Sequence, residues 1–350
     1  MRIGLYGMPT AGKSYIMDQI DFLDVYAGST LLRTQDPAFD LRDEKGKEKV
    51  RREVAAQYRK KDRFIMDGHY AFGDRIAFTD EEGEMYDRYL YLYIDPDILK
   101  KRMAASPKNR KYLRYDPVRW QSEEIDGLRA YCHQHDKDFY VLDCPPENAY
   151  VDVCDALPFL REIVDGYSNV ACARRIAERI LATTSSEVLT LLDGDQTFIR
   201  EDSSRLVFDY RTQLFDNNFY TGYQSWRQYR EFESYAIRIP AVPEVHRNEK
   251  LPPKFEGDVF IISSGHQALW KRIAEQFGMT AFAGYEVSAE TKYFVAKLLR
   301  QRGKTVVAYG DSMSDYFMLE EADRGYLMTK TGGALSRSLA GRDLGGIQLV

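Results

Sequence analysis

The sequence predicts an α/β protein of two domains, each a mostly parallel sheet with helices between its strands. Three observations carry this. Short apolar runs alternate with helical patterns along the chain, as in βαβ units. Two of those runs, Met1 to Tyr6 and the one ending Leu191-Leu192, open directly into glycine-bearing polar turns of the kind found at the C-terminal edge of such sheets. Between the two sets, Thr183-Thr184-Ser185-Ser186 is a polar break. The expected division is residues 1–165, a helical linker over 166–186, and residues 187–350 with an insertion at about 203–256.

Composition bounds the function. A chain of 350 residues is long enough for two cores. Hydrophobic and charged contents of 44% and 29% are ordinary for a globular protein. A net charge of −5 supplies no bulk attraction to nucleic acid or anionic membrane. No run approaches a membrane span, and the first residues enter a strand instead of a signal-peptide core. The 4 cysteines show no paired spacing, so a zinc knuckle or disulfide framework is not expected, and a cytoplasmic, reducing compartment is the default.

Taken in order, Met1 to Tyr6 leads into Gly7-Met8-Pro9-Thr10-Ala11-Gly12-Lys13-Ser14, a G-x-x-x-x-G-K-S phosphate loop between a strand and a helix expected at Tyr15 to Phe22. Gly7 and Gly12 let backbone N–H groups turn onto a phosphate, and the helix N-terminus adds its positive dipole end. Lys13 would reach the β- and γ-phosphates of ATP, and Ser14 would ligate Mg²⁺. Val25-Tyr26-Ala27-Gly28-Ser29-Thr30-Leu31-Leu32-Arg33 then resembles the nucleoside-monophosphate kinase group, adenylate kinase and its relatives. That resemblance implies that Arg33 contacts the phosphate acceptor, with Ser29 and Thr30 nearby.

Asp40 to Lys61 is a charged amphipathic stretch. It reads as a solvated helix face or, alternatively, as a basic surface for a polyanionic acceptor. Arg63 to Asp67 is a buried strand ending in Asp67-Gly68-His69. By resemblance to the same kinases, Asp67 would hold Mg²⁺ through water or act as base towards the attacking hydroxyl. His69 and Arg75 are candidates to face the acceptor. After the strand Tyr89 to Asp95, the helix from Pro96 to Met103 carries Arg102, which the resemblance places beside the adenine. Ser106 to Arg114 concentrates positive charge in a loop that reads as a lid, with Arg110 or Arg114 brought over the transferring phosphoryl group. A helix from Arg119 to His133, the strand Asp138 to Asp143 and the turn Pro145-Pro146 finish this sheet. Helices follow at Ala156 to Val164 and Asn169 to Ala182.

In the second half, Leu191-Leu192 delivers Asp193-Gly194-Asp195. Strand alternation predicts that both carboxylates project to one side, and two close like charges call for a cation, Mg²⁺ being suited to carboxylate and phosphate oxygens. Val259 to Ile262 ends in Ser263-Ser264-Gly265-His266, Lys292 opens a helical segment, and Thr305 to Tyr309 ends in Gly310-Asp311-Ser312-Met313-Ser314-Asp315. This ordered set resembles the haloacid dehalogenase (HAD) phosphatase superfamily, of phosphoserine-phosphatase type, over roughly residues 187–350.

The resemblance implies Asp193 as nucleophile and Asp195 as general acid and base. It implies Ser263 and Lys292 on the phosphoryl oxygens, with Ser264 and Gly265 beside the substrate. Mg²⁺ would sit on Asp193, the Gly194 carbonyl and Asp311, with Asp195 and Asp315 completing or orienting that shell. Lys297 rivals Lys292, and His266 reads as a helix-start residue. The expected fold class is therefore a P-loop NTPase-type parallel sheet joined to a HAD Rossmann-like parallel sheet with a helical cap insertion. The cap is crowded with aromatics: Phe208, Tyr210, Phe215, Phe219, Tyr220, Tyr223, Trp226, Tyr229, Phe232 and Tyr235, most of them its own core. Arg227 and Arg230 are weaker candidates for anion contacts.

A kinase and a phosphatase on one chain fit a bifunctional enzyme of small phosphorylated metabolites or nucleotides. The domain order also resembles the phage type of polynucleotide kinase–phosphatase, which implies nucleic-acid end repair as the alternative. A phosphatase controlled by a nucleotide-sensing P-loop domain is the third reading. None involves a membrane.

Overall fold

The structure is a computed structural model describing residues 1–144, 150–208, 219–234 and 243–350, without the side chains of 232–234 and 331. Pro145-Pro146, Tyr210, Phe215 and Tyr235, together with the Phe232 side chain, lie outside the described residues. The chain divides into two compact units, Met1–Gly166 and Tyr167–Val350.

In the first unit, strands β1 (Arg2–Tyr6), β2 (Asp24–Ala27), β3 (Phe64–Asp67), β6 (Arg88–Tyr93) and β7 (Asp138–Asp143) form a parallel sheet in the order β2-β3-β1-β6-β7. The short strands β4 (Ala71–Phe72) and β5 (Arg75–Ile76) make a separate antiparallel hairpin. A parallel sheet covered on both faces selects near-continuous apolar strands. Ile3, Leu5, Leu92, Phe139 and Val141 are accordingly buried. The register sets Leu5 beside Asp67 and Ala27 beside Asp67, so the phosphate loop after β1 and the carboxylate ending β3 share one edge. The helix after the loop is shorter than expected, Lys13–Met17. The amides of Gln19 and Ile20 bond three residues back, to the carbonyls of Ile16 and Met17, which tightens the chain out of the α-helix.

The strands of the second unit are β8 (Val188–Leu192), β9 (Asp258–Ser263), β10 (Thr280–Ala283), β11 (Thr305–Gly310), β12 (Arg324–Leu327) and β13 (Gln348–Leu349). Their order is β10-β9-β8-β11-β12-β13, again parallel throughout. Strands β9, β8 and β11 are neighbours, so residues 263, 193 and 311 leave the sheet side by side at its C-terminal edge. The helix Asn169–Thr183, expected in a linker, packs instead into this unit's core through Ala173, Ile176 and Ile180. On the other face, Phe198, Phe208 and Trp270 cluster with Leu192 and Ile261. Within the expected insertion lie the helices Ser203–Val207 and Gly222–Ser234. Among its aromatics Phe208, Phe219, Tyr220, Tyr223 and Trp226 are buried. The guanidiniums of Arg227 and Arg230 lie over the rings of Tyr223 and Trp226, at 5.5 and 4.9 Å from their centroids.

Candidate active sites

In the first unit, Gly7 and Gly12 hold φ of +147° and +100°, which L side chains avoid, and this lets the loop curl after β1. Lys13 is buried beneath it. The Lys13 Nζ donates to the Gly7 carbonyl at 2.6 Å and lies 3.4 Å from the Met8 carbonyl. Burial lowers its ammonium to about 8, against the pull of Asp67 and Glu124. His69 Nδ1 is 3.5 Å away. Burial and then the Lys13 charge push its imidazole well below the usual range, which favours the neutral ring. Asp67 accepts a hydrogen bond from the Gly28 amide at 2.8 Å. Ser14 is exposed in the first helical turn.

A cavity of about 660 Å³ opens beside Asp67 and His69. Its described lining includes the cationic side chains of Arg33, Lys47, Arg51, Arg75, Lys108, Lys111 and Arg114, against the carboxylates of Asp40, Asp67 and Glu82. Arg33 pairs with Asp40 at 2.8 Å, and Arg75 with Glu44 at 2.5 Å. Arg51 is half-buried, its guanidinium 5.7 Å from the Phe39 ring centroid, and burial lowers its pKa. Arg114 lines the cavity and bonds the Tyr115 hydroxyl at 2.7 Å. Arg110 does not line it. Its guanidinium is held by the Ala104 carbonyl at the end of the helix Pro96–Ala105. Arg102 donates to the Thr10 carbonyl in the phosphate loop at 2.9 Å and stacks 4.1 Å from the Tyr150 ring centroid.

Sequence reasoning missed Glu82, whose carboxylate accepts from Tyr6 OH at 2.6 Å at the cavity wall. The helix Glu44–Tyr58 reads in the sequence as a solvated face or a basic surface, yet its residues Lys47, Arg51, Val54 and Ala55 all line the cavity. Their i, i+4, i+7, i+8 spacing was the available signal.

In the second unit, Lys292 lies in the first turn of the helix Ala289–Gln301, completely buried. Its Nζ donates to Asp193 Oδ1 at 2.5 Å and to Asp315 Oδ1 at 2.7 Å. Burial alone would lower this ammonium, but Asp193 and Asp315 outweigh it and hold it raised. Lys297 instead lies over the Tyr293 and Phe294 rings. Asp193, Asp311 and Asp315 offer oxygens within 4.8 Å of one another. Burial, then Asp315, pushes Asp193 up to about 7, with Lys292 opposing; burial, then Asp315 and Asp193, pushes Asp311 well above the carboxylate range.

These carboxylates exceed the available positive charge, and a divalent cation with oxygen preference would relieve the excess. The donor set thus fits Mg²⁺, with Asp193 and Asp311 best placed to hold it. Asp315 Oδ2 accepts the amides of Asp311 and Ser312 at 3.1 and 3.2 Å, while Oδ1 holds Lys292, so Asp315 orients this group.

Two expectations change. The strand ends at Leu192, and residues 194–198 form a turn in which Gln196 takes φ 59°, so strand alternation does not govern the two aspartates. Asp195 stands outside the carboxylate cluster: its Oδ1 accepts from the Ser203 amide at 2.7 Å and its Oδ2 from the Trp270 indole at 3.1 Å. The Gly194 carbonyl, expected towards the cation, accepts the Ile199 amide at 3.1 Å through one of its two lone pairs.

Burial, then Asp202, raises Asp195 to about 6 against the donors from Ser203 and Trp270. Ser263 is buried, and its Oγ accepts from the Gly265 amide at 3.0 Å; the Ser264 hydroxyl is committed to the Val287 carbonyl at 2.6 Å. His266 caps the helix Gln267–Gln276, between Phe208 and Tyr229.

No family model and no curated protein matches the chain. Among solved structures, a shikimate kinase from Bacteroides thetaiotaomicron is 16% identical with a TM-score of 0.34, covering 47% of this chain and 98% of that one. A shikimate kinase from Aquifex aeolicus is 17% identical with a TM-score of 0.30, covering 47% and 99%. A HAD-family hydrolase from Salmonella enterica serovar Typhi is 18% identical with a TM-score of 0.28, covering 46% and 72%. At TM-scores this low they do not establish a shared fold, and the α/β class rests on the two parallel strand orders. Among the described residues, no helix is long and apolar enough to cross a membrane.

Proposed function

We propose that the chain is a bifunctional phosphotransfer enzyme, with an ATP-dependent kinase site in Met1–Gly166 and a Mg²⁺-dependent phosphomonoesterase site in Tyr167–Val350. The observation that carries this reading is the buried Asp193–Lys292–Asp315 chain beside Asp311, at the C-terminal edge of a parallel sheet. Asp193 Oδ attacks the substrate phosphorus, and Asp195 protonates the departing oxygen. Asp195 then takes a proton from the water that opens the aspartyl-phosphate. Lys292 orients Asp193 and opposes the burial that disfavours its charge, and Ser263 offers its hydroxyl to a phosphoryl oxygen. Bound Mg²⁺ supplies charge neutralisation for the phosphoryl group.

In the kinase site, Lys13 exchanges its loop carbonyls for ATP phosphates, Ser14 serves Mg²⁺, Arg102 lies beside the base, and Asp67 faces the acceptor hydroxyl. The excess of cations around the acceptor cavity supports an anionic acceptor, a phosphorylated metabolite or nucleotide. The same cations favour, as a second reading, the 5′-end of a polynucleotide, which would pair the kinase with a 3′-phosphatase.

The deciding experiment incubates the Asp193→Asn protein, whose phosphatase cannot erase the product, with γ-labelled ATP, Mg²⁺ and two acceptor pools. Label in a small anionic metabolite supports the first reading, and label on 5′-hydroxyl oligonucleotides supports the second. ATP binding without label in either pool would discard the kinase assignment in favour of a nucleotide-sensing domain.

A further inference from the structure

Asp195 is held by two donors, and the one that sequence reasoning did not anticipate comes from 75 residues away. Trp270 has no exposed surface; it sits on the helix Gln267–Gln276, packed with Leu192, Phe198 and Ile261 against the sheet. An indole N–H donates and never accepts. Its 3.1 Å approach to Oδ2, with the Ser203 amide 2.7 Å from Oδ1, occupies one lone pair on each carboxyl oxygen and stops the group rotating about Cβ–Cγ.

Two glycines make room for the ring. A Cβ at Gly194 would overlap the indole and come within 2.7 Å of Ser263 Oγ. A Cβ at Gly265 would overlap the pyrrole edge of the indole and come within 3.0 Å of Asp195 Oδ2. Neither glycine has a positive φ, so close approach to the ring, and not backbone conformation, accounts for both. The loop that carries Asp195 and the loop after β9 are thus both shaped around this side chain.

We infer that Trp270 is the positioning residue for Asp195, fixing through its indole N–H the carboxyl group that hands a proton to the departing oxygen. This rests on the phosphatase reading above. In the step concerned, the bond from Asp193 Oδ to phosphorus forms as the bond from phosphorus to the leaving oxygen breaks. The proton moves from the Asp195 carboxyl to that oxygen, leaving Asp195 as a carboxylate. A departing alkoxide needs the proton; a departing nitrophenolate does not. Misplacing Asp195 therefore penalises alkyl esters selectively.

The test compares kcat/KM for glycerol phosphate and for p-nitrophenyl phosphate. This parameter reports events through phosphoryl transfer to Asp193, before water enters. Trp270→Phe is expected to lower the alkyl value by about tenfold or more and the nitrophenyl value by less than about threefold. Asp195→Asn should show the same selectivity more strongly. The double variant should lose no more on glycerol phosphate than Asp195→Asn alone, because Trp270 acts through that carboxyl.

Should Trp270→Phe fold poorly, benzothienylalanine at position 270 replaces only the N–H with sulfur, and the same selectivity is expected. Equal losses on both esters, or losses in the double variant that multiply, overturn the inference while leaving the phosphatase standing. A wild-type protein that hydrolyses neither ester, or an Asp195→Asn variant without ester selectivity, overturns the reading of the site and this inference with it.

Discussion

Each unit buries a lysine at its proposed phosphate site, and the two are held in opposite ways. Lys292 lies between the carboxylates of Asp193 and Asp315, whose charge raises its pKa despite burial. Lys13 is as deeply placed, but its partners are the carbonyls of Gly7 and Met8, and burial brings it down to about 8. Dipoles compensate a buried charge less than opposite charges do. Lys292 is therefore part of the frame, whereas Lys13 is a charge held at a cost in stability, which the proposed kinase site would recover when phosphates bind.

The contrast breaks most visibly on deletion of the charge. Lys292→Met leaves two buried carboxylates unbalanced and should destabilise the second unit by about 3–5 kcal/mol at pH 8. Lys13→Met removes an ammonium whose charge burial disfavours and should instead stabilise the first unit by about 2 kcal/mol at pH 7. Denaturant unfolding of the full chain, followed at the two transitions, measures both. Similar losses would show that Lys13 is also structural. The Lys292→Met loss should shrink below about pH 7, because Asp193, raised to about 7 even beside the ammonium, takes up a proton there and the repulsion is removed.

How far these sites could be read from the sequence follows from the same physics. The P-loop and the residues Asp193, Ser263 and Asp311 each end an apolar run, and a parallel sheet brings such ends together whatever lies between. Lys292 was legible as the lysine opening a helix. Trp270 was not: its contact with Asp195 depends on the turn over 194–198, where a left-handed Gln196 departs from strand geometry. Glu82 was hidden within the acidic stretch Asp80-Glu81-Glu82, which reads as a helix first turn. The outer strands β10, β12 and β13 went unnoticed. Thr280-Ala281-Phe282-Ala283 and Arg324-Gly325-Tyr326-Leu327 lack the continuous apolar character that two-sided burial imposes on central strands.

Glu82 extends the comparison to a buried carboxylate whose hydrogen-bond partner is the neutral Tyr6 hydroxyl. Burial raises it to about 7, against the Tyr6 hydrogen bond and the Arg51 charge. The folded state then binds more protons than the unfolded state between about pH 4.5 and 7, and stability falls as pH rises through that window. Glu82→Gln keeps an acceptor for Tyr6 and removes the charge. It should stabilise the first unit by about 2 kcal/mol at pH 8, after discounting for partial exposure, and leave it nearly unchanged at pH 4. A stabilisation independent of pH would mean that the carboxylate itself is not the cost.

The subtlest consequence is that the two sites should exchange protons in opposite directions on binding. With Lys13 near 8, about half of the ammonium is neutral at pH 8 and about a tenth at pH 7. Phosphate oxygens favour the charged form, so ATP binding should take up about half a proton at pH 8 and much less at pH 7. At the other site Asp193 is near 7 because burial and Asp315 disfavour its charge, and a divalent cation reverses that preference. Mg²⁺ binding there should release up to about one proton near pH 6.5. Calorimetric titrations in buffers of different ionisation enthalpy read both signs. Lys13→Met should abolish the uptake and spare the release, and Asp193→Asn should do the reverse. Uptake that survived Lys13→Met would place the titrating group elsewhere and remove the distinction between a stored charge and a structural one.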